Sequence, residues 1–164
     1  MSKVVLKLGD DVSTDIIYPG RFMATVLPSE TPQYAFADLV NFNSRVKNHE
    51  IPPQSVIVAG KNFGCGSSRE QAASCLKGPD FIVIARDFAR IFLQNSINLG
   101  LNTIICPDIE AEEGDELKIS TTHVINQTNG KSYEIVPLPR ARQTIIDAGG
   151  LIPYTRQRLL QTKK

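Results

Sequence analysis

The chain has 164 residues, with 18 Lys plus Arg against 17 Asp plus Glu and a formal charge of +1. That length supports one domain with a substantial core and is short for two, and 41% hydrophobic with 21% charged residues excludes a disordered or membrane-embedded chain. Near-neutrality argues against a nucleic-acid binder, which carries a basic surplus.

In chain order, Val4–Leu8 reads as a short strand, followed by the polar turn Gly9-Asp10-Asp11 and an apolar step at Ile16-Ile17. Pro19-Gly20 punctuates the chain and opens a long segment up to about Thr31. Gln33–Val40 and Ser44–Asn48 have weak helical character, stopped by Ile51-Pro52-Pro53. The pattern then becomes regular. Ser55–Ala59 is a β-branched run, a glycine loop follows, and a helix is predicted from about Ser68 to Lys77. Phe81–Ala85 is a second apolar strand, Asp87 is placed to cap a helix to about Asn98, and Thr103–Cys106 is a third strand. Such strands alternating with helices imply a parallel sheet covered on both faces.

The carboxyl half changes character. Asp108 to Glu116 holds six acids in nine residues and reads as a solvated loop. Glu116–Ser120, His123–Gln127 and Lys131–Val136 are short strands, the last two joined across the hairpin signal Asn129-Gly130. Ala141–Ala148 reads as a helix ended by Gly149-Gly150, and residues 156–164 form a basic, peripheral tail. No repeat or linker interrupts residues 1–164, so a single domain is expected. The amino terminus lacks the apolar core of a signal peptide, and the expected compartment is reducing and cytoplasmic.

Cys65, Cys75 and Cys106 form no Cys-x-x-Cys pair, and His49 and His123 stand alone, so no metal site is expected from this chain. Three cysteines suffice for an iron–sulfur cluster only if they converge. Cys65 lies in a glycine loop and the others in apolar runs, which favours buried or incidental thiols.

The candidate site is the loop Gly60-Lys61-Asn62-Phe63-Gly64-Cys65-Gly66-Ser67-Ser68-Arg69-Glu70, between a buried strand and a helix start. Its glycines let the backbone turn sharply and approach a ligand. Gly66 is followed by Ser67 rather than Lys, and position 69 is Arg, so neither a Walker loop nor a dinucleotide fingerprint fits. Two readings remain. In one, Arg69 grips a carboxylate through paired charge-assisted bonds while Ser67 is a hydroxyl whose alkoxide is stabilised by helix-start N–H groups. In the other, Ser67 or Ser68 is only a helix cap and Arg69 a surface ion-pair partner.

Asn62-Phe63-Gly64-Cys65-Gly66-Ser67-Ser68-Arg69-Glu70 resembles the signature of the swivel domain of the aconitase superfamily. Gly9-Asp10-Asp11-Val12-Ser13-Thr14-Asp15-Ile16-Ile17-Tyr18-Pro19-Gly20 resembles the family's amino-terminal motif. Phe88-Ala89-Arg90-Ile91-Phe92 with Asn95, Ile97, Asn98 and Gly100 resembles its second helix, and Gly149-Gly150-Leu151-Ile152 its carboxyl-terminal turn. The resemblance spans essentially the whole chain and matches the family's separate small subunits in length.

The resemblance implies an α/β fold, a swivelling β/β/α domain with a mainly parallel sheet flanked by helices and a C-terminal β-hairpin. It implies a large-subunit partner carrying a [4Fe–4S] cluster, none being bound by this chain, and a hydro-lyase or isomerase active only as that complex. Carried over by residue, Ser67 is the base, while Gly66, Ser68 and Arg69 bind substrate carboxylate. Thr14 and Asp15 lie behind them. The segment Arg21, Phe22, Met23, Ala24, Thr25 reads the substituent that distinguishes substrates. Family members acting on homoaconitate tend to carry an arginine where this chain has Ala24, so an apolar substituent fits better here. An inward-facing Arg21 would reverse that inference. The order of expectation is 3-isopropylmalate, then dimethylmalate- or methylmalate-like acids, then homoaconitate. A non-catalytic anion-binding or regulatory module using the same domain is the alternative from another class.

Overall fold

In the computed structural model, which describes residues 1–163, four strands run parallel: β1 (Ser2–Lys7), β2 (Val56–Ala59), β3 (Ile82–Ala85) and β4 (Asn102–Ile105). Three antiparallel strands follow, β5 (Glu116–Ile119), β6 (His123–Asn126) and β7 (Ser132–Glu134). They form one sheet in the order β4-β3-β2-β1-β5-β6-β7. It curls until its edges meet, where Val136 N–H donates to the Ile105 carbonyl at 2.9 Å.

The strand types follow from side-chain pattern. Every residue of β2 and β3 is buried, as strands covered on two faces require, whereas β5 and β7 alternate around Leu117 and Tyr133. The helices are α1 (Thr14–Ile17), α2 (Val40–Lys47), α3 (Gln71–Lys77), α4 (Arg90–Leu99), α5 (Arg140–Asp147) and α6 (Leu151–Thr162). Ile17, Phe42, Leu76 and Phe92 pack on Ile57 and Val83 of one sheet face. Val56, Ile82 and Ile84, on the other face, pack against Leu117, Val124 and Tyr133. The second cover is therefore the rolled β5–β7 unit rather than a layer of helices. Rolling buries the single apolar face of the antiparallel strands and the second face of the parallel ones in the same step.

Several elements depart from expectation for local reasons. Residues 33–40 hold only a 3-10 turn, Thr31–Tyr34, because Phe36 takes φ +49° and ends any helical path before α2. The helix predicted from Ser68 begins at Gln71, and Arg69 lies in the approach to it. Asp87 does not cap α4; Ala89 holds the cap position, and the Asp87 carboxylate accepts Asn62 N–H from the glycine loop instead. Of the expected tail at 156–164, residues up to Thr162 belong to α6, none of whose residues is buried, and Lys164 lies outside the described residues. Gly100 closes α4 at φ +76°, where a Cβ would lie 2.4 Å from the Gly149 carbonyl carbon. The two glycine turns are thus pressed together. Among the described residues no helix is long and apolar enough to cross a membrane.

Candidate active site

The site forms where β1, β2 and β3 release their chains at one end of the sheet. Backbone hydrogen bonds continue past the strands and zip the three loops together. Gly60 N–H donates to Gly9, Asp11 N–H to Lys61, Gly64 N–H to Val12 and Thr14 N–H to Cys65, at 2.7–3.0 Å. On the other side, Ala89 N–H donates to the Phe63 carbonyl at 2.9 Å. Acids lock the turn: Asp10 accepts Lys61 N–H at 2.7 Å, and Asp11 accepts the Asn62 side-chain amide at 3.0 Å. Lys61 and Asn62 thereby spend their N–H groups on holding the loop.

Beneath it lie three aromatic rings. Phe63 is fully buried and meets Phe88 and Phe92 edge-on at 5.9 and 5.2 Å between centroids. Gly64, at φ +84°, rests on that cluster; a Cβ there would fall 2.2 Å from Phe92 Cγ. The loop can pass over α4 only as glycine.

Ser67 is exposed, but its polar atoms are tied to a buried neighbour. Thr14 is 2% exposed, accepts Ser67 N–H at 3.2 Å, and sets its Oγ1 3.1 Å from Ser67 Oγ. Either hydroxyl can donate in this contact, and with Thr14 as the donor its proton points at Ser67 Oγ. Arg69 N–H approaches the same Oγ at 3.4 Å. In that arrangement two donors face one hydroxyl oxygen, a setting that stabilises negative charge developing there. Gly66 leaves room for this contact, since a Cβ there would come within 3.3 Å of Thr14 Oγ1.

The Arg69 side chain is folded inward at 11% exposure. Its Nη1 donates to the Tyr18 carbonyl at 2.7 Å and to Asp15 Oδ1 at 3.3 Å. Its Nε is buried and has no partner among the described residues. A buried donor without an acceptor is a standing cost that a ligand oxygen would remove. Asp15 Oδ1 also accepts Gly20 N–H at 2.8 Å, so the start of the 21–25 segment is tied to the arginine. Ser68 is exposed and is held through its carbonyl, which accepts the Asn95 amide at 3.1 Å.

The 21–25 segment lies alongside. Arg21 does not turn inward: its guanidinium forms two bonds to the Asp38 carboxylate, the shorter 2.5 Å, and stacks over Phe22 at 4.6 Å. That pairing holds the Asp38 carboxyl below its ordinary range. Phe22 stacks on Tyr34 at 4.1 Å, while Met23 and Ala24 are exposed. The Met23 carbonyl accepts the Gln71 amide at 3.2 Å.

The aconitase C-terminal domain family matches residues 12–108. A 3-isopropylmalate dehydratase small subunit from Methanosarcina mazei is 45% identical, covering 92% of this chain and 93% of the relative. The chain belongs to the family of 3-isopropylmalate dehydratase small subunits. An isopropylmalate/citramalate isomerase small subunit from Methanocaldococcus jannaschii is 41% identical across 97% of this chain and 95% of its own length. A crystal structure of 3-isopropylmalate dehydratase from that organism superposes with a TM-score of 0.87 at 38% identity, covering 98% of this chain and 96% of that one.

In this member of the small-subunit family the cysteines do not converge. Cys65 is half-buried in the site loop, and Cys75 and Cys106 lie in the cores on opposite faces of the sheet. Burial pushes the Cys75 thiol far up and, with Asp108 nearby, Cys106 to about 11. The set does not fit an iron–sulfur cluster, which needs thiolates that converge on one point. Among the described residues no three His, Cys, Asp or Glu side chains are placed to hold a metal.

Two features lay outside the sequence reading. A cleft of about 850 Å³ opens beside Cys65, Gly66 and Ser67, walled by Arg90, Gln94 and Arg142. Arg142 comes from α5, 75 residues beyond Ser67 in the chain, and no local motif marks it. Phe63, the buried anchor of the loop, was legible only as one apolar residue among glycines.

Proposed function

We propose that this chain is the small subunit of a hydro-lyase that dehydrates and rehydrates a branched malate, 3-isopropylmalate first among them. The observation that carries the reading is the pairing, within one loop, of a Ser67 oxygen in reach of the Thr14 hydroxyl and the Arg69 N–H with a guanidinium whose Nε lacks an acceptor among the described residues.

In this scheme Arg69 holds a substrate carboxylate through two N–H groups, with Ser68 and the Gly66 backbone alongside. Ser67 Oγ removes the proton from the carbon next to that carboxylate, and Thr14 stabilises the oxygen's charge. The hydroxyl leaves from the neighbouring carbon, giving an unsaturated diacid and water. Returning water to the other carbon completes the isomerisation. The large subunit contributes a [4Fe–4S] cluster, whose chemistry is Lewis-acid assistance to the departing hydroxyl. The chain alone supplies half a site and is inactive without that partner. Its setting is the cytoplasm and leucine biosynthesis.

Substrate choice follows from charge. Ala24 brings no cation, and the Arg21 guanidinium is engaged by Asp38, so the segment offers nothing to pair with a third carboxylate. This favours an isopropyl substituent, then methyl, as in dimethylmalate or methylmalate, over homoaconitate. The citramalate in one relative's name fits the same order.

The test is reconstitution with the cluster-bearing large subunit, following formation of the unsaturated acid. Ser67→Ala is expected to lose about 10²- to 10⁴-fold in turnover while the complex still assembles on size-exclusion chromatography. Full activity of that variant overturns Ser67 as the base. Carboxylate binding without turnover in any complex would make the chain an anion-binding module instead.

A further inference from the structure

One residue stands between the two halves of the site and has no role in the scheme above. Tyr18 is fully buried, its ring edge-on to Phe22 at 6.5 Å and to Tyr34 at 6.1 Å between centroids. Its backbone carbonyl accepts Arg69 Nη1 at 2.7 Å. At its other end, the phenol oxygen lies 3.0 Å from the Phe22 carbonyl and 3.2 Å from the Thr25 carbonyl. A phenol has one proton, so the two carbonyls share it. Burial raises the phenol's pKa, which keeps that proton in place across the working range.

We propose that Tyr18 is a specificity-determining positioning residue, coupling the carboxylate anchor at Arg69 to the segment that reads the substituent. The proposal rests on the function proposed above. Phe22 and Thr25 bracket Met23 and Ala24, both of which are exposed. Three bonds hold those residues besides the phenol: the Gln71 amide to the Met23 carbonyl, Met23 N–H to the Gly20 carbonyl at 3.1 Å and Thr25 N–H to the Phe22 carbonyl at 3.0 Å; the phenol adds the one tie between the segment's two ends and the buried ring. The ring between carbonyl and hydroxyl is rigid. The distance from carboxylate anchor to specificity segment is therefore set by one side chain of fixed length. A preorganised segment rewards the substituent that fills it, whereas a loose one adapts to smaller groups and discriminates less.

Tyr18→Phe keeps the ring packing and the backbone carbonyl and deletes only the shared hydrogen bond. In the full chain, amide hydrogen exchange over residues 20–27 is expected to quicken about fivefold, with the core strands unchanged. In the complex with the large subunit, the kcat/KM ratio of 3-isopropylmalate to citramalate is expected to fall about fivefold through a raised KM for 3-isopropylmalate, with kcat retained. Replacing Tyr18 with 3-fluorotyrosine, which restores a hydroxyl on the same ring, is expected to return the wild-type ratio. An equal loss of kcat on both substrates would mark a merely structural role and overturn the proposal. So would an unchanged ratio in an active complex, which leaves the proposed function standing. A wild-type complex inactive on both acids overturns the proposed function and this inference with it.

Discussion

Thr14 and Ser67, 53 residues apart in sequence, form a closed pair: Thr14 Oγ1 accepts Ser67 N–H at 3.2 Å and faces Ser67 Oγ at 3.1 Å. The buried member sets both the backbone and the hydroxyl of the exposed one. Thr14→Val keeps the shape and removes the hydroxyl, leaving the serine oxygen with a single donor. Turnover of the reconstituted complex is expected to fall about tenfold with little change in KM, while Thr14→Ser stays near wild type. Steady-state kinetics on the three proteins checks it, and equal rates would remove Thr14 from the base's support.

In the proposed reaction Arg69 has two tasks: it holds the Tyr18 carbonyl and offers its remaining donors to substrate. A lysine is a single point charge without that fork. For Arg69→Lys, kcat/KM is expected to drop by about one to two orders of magnitude, the worth of one charged hydrogen bond. The loss should appear mainly in KM. Binding of the unsaturated acid, measured calorimetrically on the complex, should weaken in parallel.

Ala24 is exposed, so a longer side chain has room there. Ala24→Arg supplies the cation that the segment lacks. Activity toward a tricarboxylate such as homoaconitate is expected to rise about tenfold or more relative to 3-isopropylmalate. A substrate panel with no change in rank order would show that residues 21–25 do not read the substituent.

The β5–β7 unit carries its own acid-sensitive bond. The Asp115 carboxylate accepts Glu112 N–H at 2.9 Å and the buried Asn126 amide at 2.8 Å, and these bonds hold its pKa below the usual value. Because the folded pKa is the lower one, the stabilisation is complete above the unfolded pKa, about 3.9, and is lost as pH falls through the folded value. Asp115→Asn is expected to lower stability by about 1 kcal/mol or less at neutral pH, given the solvent exposure of the carboxylate. The difference from wild type should vanish near pH 2, as thermal melts from pH 2 to 7 would show.

The parallel strands were legible because Val56–Ala59 and Ile82–Ala85 are unbroken β-branched runs, and the hairpin because Asn129-Gly130 needs no distant partner. Ser67 and Arg69 were legible as residue types in a glycine loop. Of their support, only the family resemblance spoke, setting Thr14 and Asp15 behind them without saying what they touch. Nothing local indicates that Thr14 completes Ser67, that the Tyr18 carbonyl holds Arg69, or that Asp87 serves Asn62 rather than its own helix. Such bonds join residues 25 to 53 positions apart, and pattern within one element carries no information about them.

By itself, the sequence determined the alternation of apolar strands with helices, the glycine loop that holds Ser67 and Arg69, and the near-neutral charge that leaves Arg69 a local feature. Those properties follow from side-chain period, glycine content and ionisable groups, which act over a few residues. Only the tertiary structure decided that the antiparallel strands roll over the parallel ones, closing at Ile105 and Val136. It alone also decided that Arg21 turns to Asp38, and that the Tyr18 carbonyl meets Arg69 while its phenol meets the Phe22 and Thr25 carbonyls. The reason is physical: burial and hydrogen-bond satisfaction are settled by whichever groups the chain brings together, and the choice of partner is made in space.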